Sequence, residues 1–129
     1  MALTIAVLNS DEDVVEMLRT VLEQAGFNTV STHVPDIKRG EQDFVAFLER
    51  HDPAAVIYDI APPYRENWNF LKLILDTHSA KRRCFVLTTA NERLLRDVVG
   101  HQITVLEISE KPYSLDSILR AVQSSIKAA

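Results

Sequence analysis

The chain is predicted to fold as an α/β protein, a parallel β-sheet covered by helices. Two observations carry this. Short apolar runs rich in Val and Ile alternate with longer segments whose apolar residues recur at helical spacing. The runs are also apolar at successive positions, so both faces of each strand are buried, as in a sheet sandwiched between helices. The 129 residues, 47% hydrophobic and 25% charged, make one domain spanning residues 1–129 with enough apolar surface for a core. With only 3 Gly and 5 Pro, most of that domain belongs in regular structure.

The elements follow in order. Residues 3–8 (LTIAVL) are the first strand. Val14, Leu18, Val21, Leu22 and Ala25 mark the first helix, behind an acidic cluster that suits a helix N-terminus and before Gly26 as a C-cap. Residues 28–32 (NTVST) are more polar and read as an edge strand. Phe44, Phe47 and Leu48 mark a second helix, and residues 54–60 (AAVIYDI) a third strand. Phe70, Leu73, Ile74 and Thr77 mark the third helix, and residues 84–89 (CFVLTT) the fourth strand. Leu94, Leu95, Val98 and Val99 mark a helix stopped by Gly100, and residues 103–108 (ITVLEI) the fifth strand. Leu115, Ile118, Leu119, Val122 and Ile126 mark the last helix, with Ser114 as its N-cap. Five strands in strict alternation with helices fit a flavodoxin-like sheet of order 2-1-3-4-5. That order sets the first and third strands side by side, with ligands and chemistry at their carboxyl ends.

Composition excludes several function classes. The formal charge of −4 argues against nucleic-acid binding, which is driven by neutralising phosphates with Lys and Arg. The one basic run, Lys81-Arg82-Arg83, reads as solvated surface. The N-terminus lacks a basic secretory leader, and no apolar run is long enough to span a membrane, so a cytoplasmic protein is expected. The single cysteine, Cys84, permits no internal disulfide and no Cys-based zinc cluster; at the head of a buried strand it reads as a core thiol. His33, His51, His78 and His101 show no metal-ligand spacing and read as surface or loop residues.

The strand exits are where the sequence becomes specific. After the first strand come Asn9, Ser10, Asp11, Glu12 and Asp13. Asp59 lies near the end of the third strand, inside an apolar run. The fourth strand ends in Thr88-Thr89 and the fifth runs into Glu110-Lys111-Pro112. A carboxylate, a hydroxyl and a lysine thus meet on one rim, a set suited to a cation, a reactive carboxylate and an added anion.

With VIYDIAPP around Asp59, LTTA around Thr89 and EKPYSLDSIL after the fifth strand, the whole chain resembles the receiver domain of two-component response regulators. The resemblance implies that Asp59 accepts a phosphoryl group from a histidine kinase or phosphotransfer protein. Thr89 and Lys111 would bind phosphoryl oxygens. Mg²⁺ would bind weakly to Asp59, the backbone carbonyl of Ala61 and Asp11, directly or through water. The Lys111–Pro112 bond is often cis in the family. Output would pass to a protein partner through residues 91–100, 103–108 and 114–127, a face through which the chain could also form a homodimer.

The sequence departs from the family pattern at several points. The acidic pair that follows the first strand falls on Asn9 and Ser10, which carry no charge, so Mg²⁺ loses the hard anionic oxygens it prefers. Ile108 stands at the switch position three residues before Lys111, where an aromatic is common, which implies a muted switch. Asn67 replaces a glycine after the third-strand loop, and the stretch at residues 34–40 is extra.

Plainer readings stand beside these. Asp59 could be a structural acid with Lys111 as its ion-pair partner, and Thr89 a hydroxyl satisfying the backbone. Asp11, Glu12 and Asp13 could simply start a helix. Tyr64 and Trp68 read first as packing residues and second as partner contacts. Three functions therefore compete: a phosphorylatable receiver, a pseudo-receiver that binds a protein without phosphate, and a small flavodoxin-like enzyme or cofactor carrier. The last is weakest, because NSDED after the first strand repels a phosphate instead of cradling it.

Overall fold

Alternate residues of each central strand feed two separate cores. In the computed structural model, which describes residues 2–41, 43–108 and 115–128, the strands are Thr4–Leu8 (β1), Asn28–Thr32 (β2), Ala55–Asp59 (β3), Cys84–Thr89 (β4) and Thr104–Glu107 (β5). They pair in parallel in the order β2-β1-β3-β4-β5, the order read from the sequence. Among the described residues the helices are Glu12–Gln24 (α1), Val34–Lys38 (α2), Phe44–His51 (α3), Tyr64–Leu75 (α4), His78–Lys81 (α5), Glu92–Val99 (α6) and Leu115–Ala128 (α7).

Because side chains alternate across a strand, Ile5, Val7, Ala55, Ile57 and Val86 pack on one face against Val14, Leu18 and Leu22 of α1 and Ile118 and Val122 of α7. Ala6, Leu8, Val56, Tyr58, Phe85 and Leu87 pack on the other face against Phe44 and Leu48 of α3, Leu71 of α4 and Leu95 of α6. The helix stops are local. Gly26 and Gly100 follow α1 and α6 at φ +96° and +86°, the left-handed region where a side chain is strained.

Two helices were not expected. The extra stretch after β2 winds into α2, whose Ile37 inserts into the second core and is 5% exposed. The third helical pattern breaks at Thr77. Its hydroxyl donates to the carbonyl of Ile74 at 2.6 Å and accepts from the amide of Ala80 at 3.3 Å, so it closes α4 and caps α5. The basic run is also not uniformly solvated. Arg82 is exposed and pairs with Glu49, but the Arg83 side chain is only 3% exposed. Its Nη1 donates to Asp52 Oδ1 at 2.7 Å and to the carbonyl of Pro53 at 3.0 Å. An aliphatic stem long enough to reach the loop between α3 and β3 lets the guanidinium be buried against that loop. Cys84 is half-buried, with its Sγ donating to the carbonyl of Ser125.

Candidate functional site

Asp59 is the last residue of β3, where the apolar strand reaches the rim of the sheet. Its register partner on β4 is Thr88, and the Thr88 hydroxyl donates to Asp59 Oδ1 at 2.8 Å. Burial pushes the Asp59 carboxyl up to about 6; the Thr88 hydrogen bond opposes the rise and the nearby charge of Asp11 adds to it. Asp59 therefore remains mostly ionised at pH 7, and its Oδ2 accepts no hydrogen bond among the described residues.

Thr89 faces the other way. It is fully buried, and its hydroxyl donates to the phenolic oxygen of Tyr64 at 3.1 Å while accepting from the amide of Asn91 at 3.4 Å. The strand alternation explains the division: neighbours on β4 point to opposite faces, and the direct cross-strand position belongs to Thr88. The sequence reading named Thr89 and did not single out Thr88. Counted from the first residues read in the sequence, 54 and 84, the strands would set Thr89 opposite Asp59; the register is one residue different, with Ala55 facing Cys84 and Asp59 facing Thr88. Tyr64 begins α4 after a cis Pro62–Pro63 bond and reaches the site as well as the core. Tyr64→Phe is expected to release the Thr89 hydroxyl, to lower stability by about 1 kcal/mol, and to move amide resonances of Thr89 to Asn91 in NMR spectra. Unmoved resonances there would show that the phenol does not hold Thr89.

The β1 exit is built as a turn and a cap. Asn9 is buried and its Oδ1 accepts from the amide of Asp11 at 2.9 Å. Asp11 caps α1, with Oδ1 accepting from the amides of Asp13 at 2.9 Å and Val14 at 3.4 Å. Ser10 is exposed. Across the site, the carbonyl of Ala61 accepts from Asn67 Nδ2 at 2.6 Å, and Asn67 Oδ1 accepts from Lys38 Nζ. Asn9, Ser10, Asp11, Asp59 and the Ala61 carbonyl are the groups that the resemblance relates to Mg²⁺ binding. Asn9 Oδ1, one oxygen of Asp11 and the Ala61 carbonyl are already engaged, Ser10 is neutral, and among the described residues of the site Asp59 and Asp11 supply the carboxylates. Among the described residues no cluster of three or more His, Cys, Asp or Glu side chains could hold a metal. Two carboxylates, each with one oxygen already engaged, make this a weak site for Mg²⁺.

Two cavities meet at Asp59. One, of about 170 Å³, is lined by Asn9, Ser10, Asp11, Val14, Ala90 and Ile108 as well as Asp59, so the altered switch position does border the carboxylate. The other, of about 330 Å³, lies between α2 and the β3–α4 loop, with Ser10, Lys38, Ala61 and Asn67 among its walls. Nothing in the local sequence signalled the meeting of Lys38 and Asn67, which lie 29 residues apart. Lys111, the Lys111–Pro112 bond and Ser114 lie outside the described residues.

No protein-family profile and no curated protein matches the chain. Solved structures do. A response regulator from Thermotoga maritima is 22% identical at TM-score 0.71, with 98% of this chain and 99% of that one covered. The chemotaxis protein CheY4 of Vibrio cholerae is 16% identical at TM-score 0.69, covering 97% and 99%. A third, described as a transiently phosphorylated switch in bacterial signal transduction, is 21% identical at TM-score 0.67, covering 97% and 94%. The fold is that of response-regulator receiver domains. No described helix is long and apolar enough to cross a membrane.

Proposed function

We propose that residues 1–129 form a cytoplasmic receiver domain that accepts a phosphoryl group on Asp59 and signals through a protein partner. It acts as a signalling domain, with no substrate of its own beyond the phosphodonor. The observation that carries this reading is the Asp59 carboxylate itself: half-buried at a strand end, held at Oδ1 by Thr88, and bordered by two cavities. A free carboxylate oxygen is a competent nucleophile when the incoming charge is neutralised. In transfer from a kinase or phosphotransfer protein, an Asp59 oxygen forms the new O–P bond, the P–N bond to the donor histidine breaks, and the imidazole takes up a proton. Lys111 would supply positive charge, and Thr89 a hydroxyl once it leaves Tyr64. Output is proposed through α6, β5 and α7, where Leu94 is exposed, to a protein partner or to a second copy of the chain.

Incubation with acetyl phosphate should add one phosphate to the wild type and none to Asp59→Asn, read by intact mass. An equal mass gain in both proteins would remove Asp59 from this role. A second reading, a binding module that works without phosphate, is favoured by the engagement of two of the site's groups within the chain: Thr89 with Tyr64 and the Ala61 carbonyl with Asn67. No mass gain in the wild type would select it.

A further inference from the structure

The helix that the extra stretch forms brings a cation to the wall of the cavity that Asp59 and Ala61 border. Ile37 anchors α2 in the core, and the next residue, Lys38, projects to Asn67. Asn67 in turn holds the Ala61 carbonyl. Lys38 and Arg39 differ in their surroundings. Arg39 is neutralised by Asp36 and Glu41, whereas Lys38 meets no carboxylate among the described residues. Its only partner there is a neutral amide oxygen. Lys38, Asn67, Ala61, Ser10 and Asp59 border one cavity, and Asn9 and Ser10 no longer provide the charges that would draw a dication to it.

We propose that Lys38, steered by Asn67, is a cation of this site that neutralises the phosphoryl group on Asp59 in place of a divalent metal. The inference rests on the phosphoacceptor reading of Asp59. The lysine stem is flexible and its ammonium is a compact charge with three donors, so it can exchange the Asn67 oxygen for a phosphoryl oxygen that enters the shared cavity. The transfer itself is unchanged. With acetyl phosphate, an Asp59 oxygen bonds to phosphorus, the bond from phosphorus to the acyl oxygen breaks, and acetate leaves with the electron pair.

The test is the rate of phosphate addition from acetyl phosphate, followed by intact mass with EDTA and, separately, with excess Mg²⁺. The expected result is a wild-type rate in EDTA close to that in Mg²⁺. Lys38→Gln should slow the EDTA rate by roughly tenfold or more, the scale of losing one charge-stabilising donor, and Lys38→Arg should restore much of it. Lys38 is exposed, so these variants leave the core intact; circular dichroism checks this. Phosphate added only in Mg²⁺ would overturn the role of Lys38 while leaving Asp59 as phosphoacceptor. Addition in EDTA that Lys38→Gln does not slow would do the same. No addition to Asp59 under either condition would remove both readings together.

Discussion

Asp59→Asn is expected to stabilise the fold by roughly 2–3 kcal/mol at pH 7, raising the melting temperature on the order of 10 °C. The free carboxyl value of 3.8 is raised to about 6 in the folded chain. Between these values the folded state holds a proton that the unfolded state has released, so stability falls as pH rises through this window and is level above it. That rise of the carboxyl value corresponds to about 3 kcal/mol. Asparagine keeps an oxygen for the Thr88 hydroxyl and removes the buried charge. The difference between the two proteins should therefore be present at pH 7 and vanish near pH 4. Urea unfolding at both pH values measures it. Equal stability at pH 7 would mean that a cation, Lys111 or Lys38, already compensates the carboxylate in the resting protein.

The double substitution Asn9→Asp and Ser10→Asp is expected to have the largest effect on metal binding. Wild-type Mg²⁺ affinity should be weak, because the donors around Asp59 are neutral or engaged. Each added carboxylate within about 4 Å of a dication contributes a few kcal/mol before desolvation, so an increase of about a hundredfold or more is expected. Without Mg²⁺ the same change should destabilise the chain by about 1–3 kcal/mol. Asn9 is buried beside Asp11 and Asp59, and a new charge there meets two like charges. Millimolar Mg²⁺ should restore the lost stability by binding only the folded state. Calorimetry and thermal unfolding with and without Mg²⁺ give both quantities. Tight binding in the wild type, unchanged by the pair, would show that Asp11 and Asp59 suffice.

The sheet was legible in the sequence because its signals are local. Continuously apolar strands such as residues 54–60 must bury both faces, helices such as residues 14–25 must bury one, and their alternation admits few topologies. The same locality placed Asp59 at a strand exit and exposed the missing charges at Asn9 and Ser10. The placement of Thr89 against Tyr64, of Arg83 against Asp52 and of Lys38 against Asn67 was decided by the tertiary structure alone. Each depends on how far apart in sequence the partners lie: 25 residues for Thr89 and Tyr64, 31 for Arg83 and Asp52, 29 for Lys38 and Asn67. Periodicity tells which face a side chain takes within its own element. It carries nothing about which neighbour meets it across a crossover. For α2 that neighbour was chosen by one buried side chain, Ile37, whose insertion in the core fixes where the next residue's charge must go.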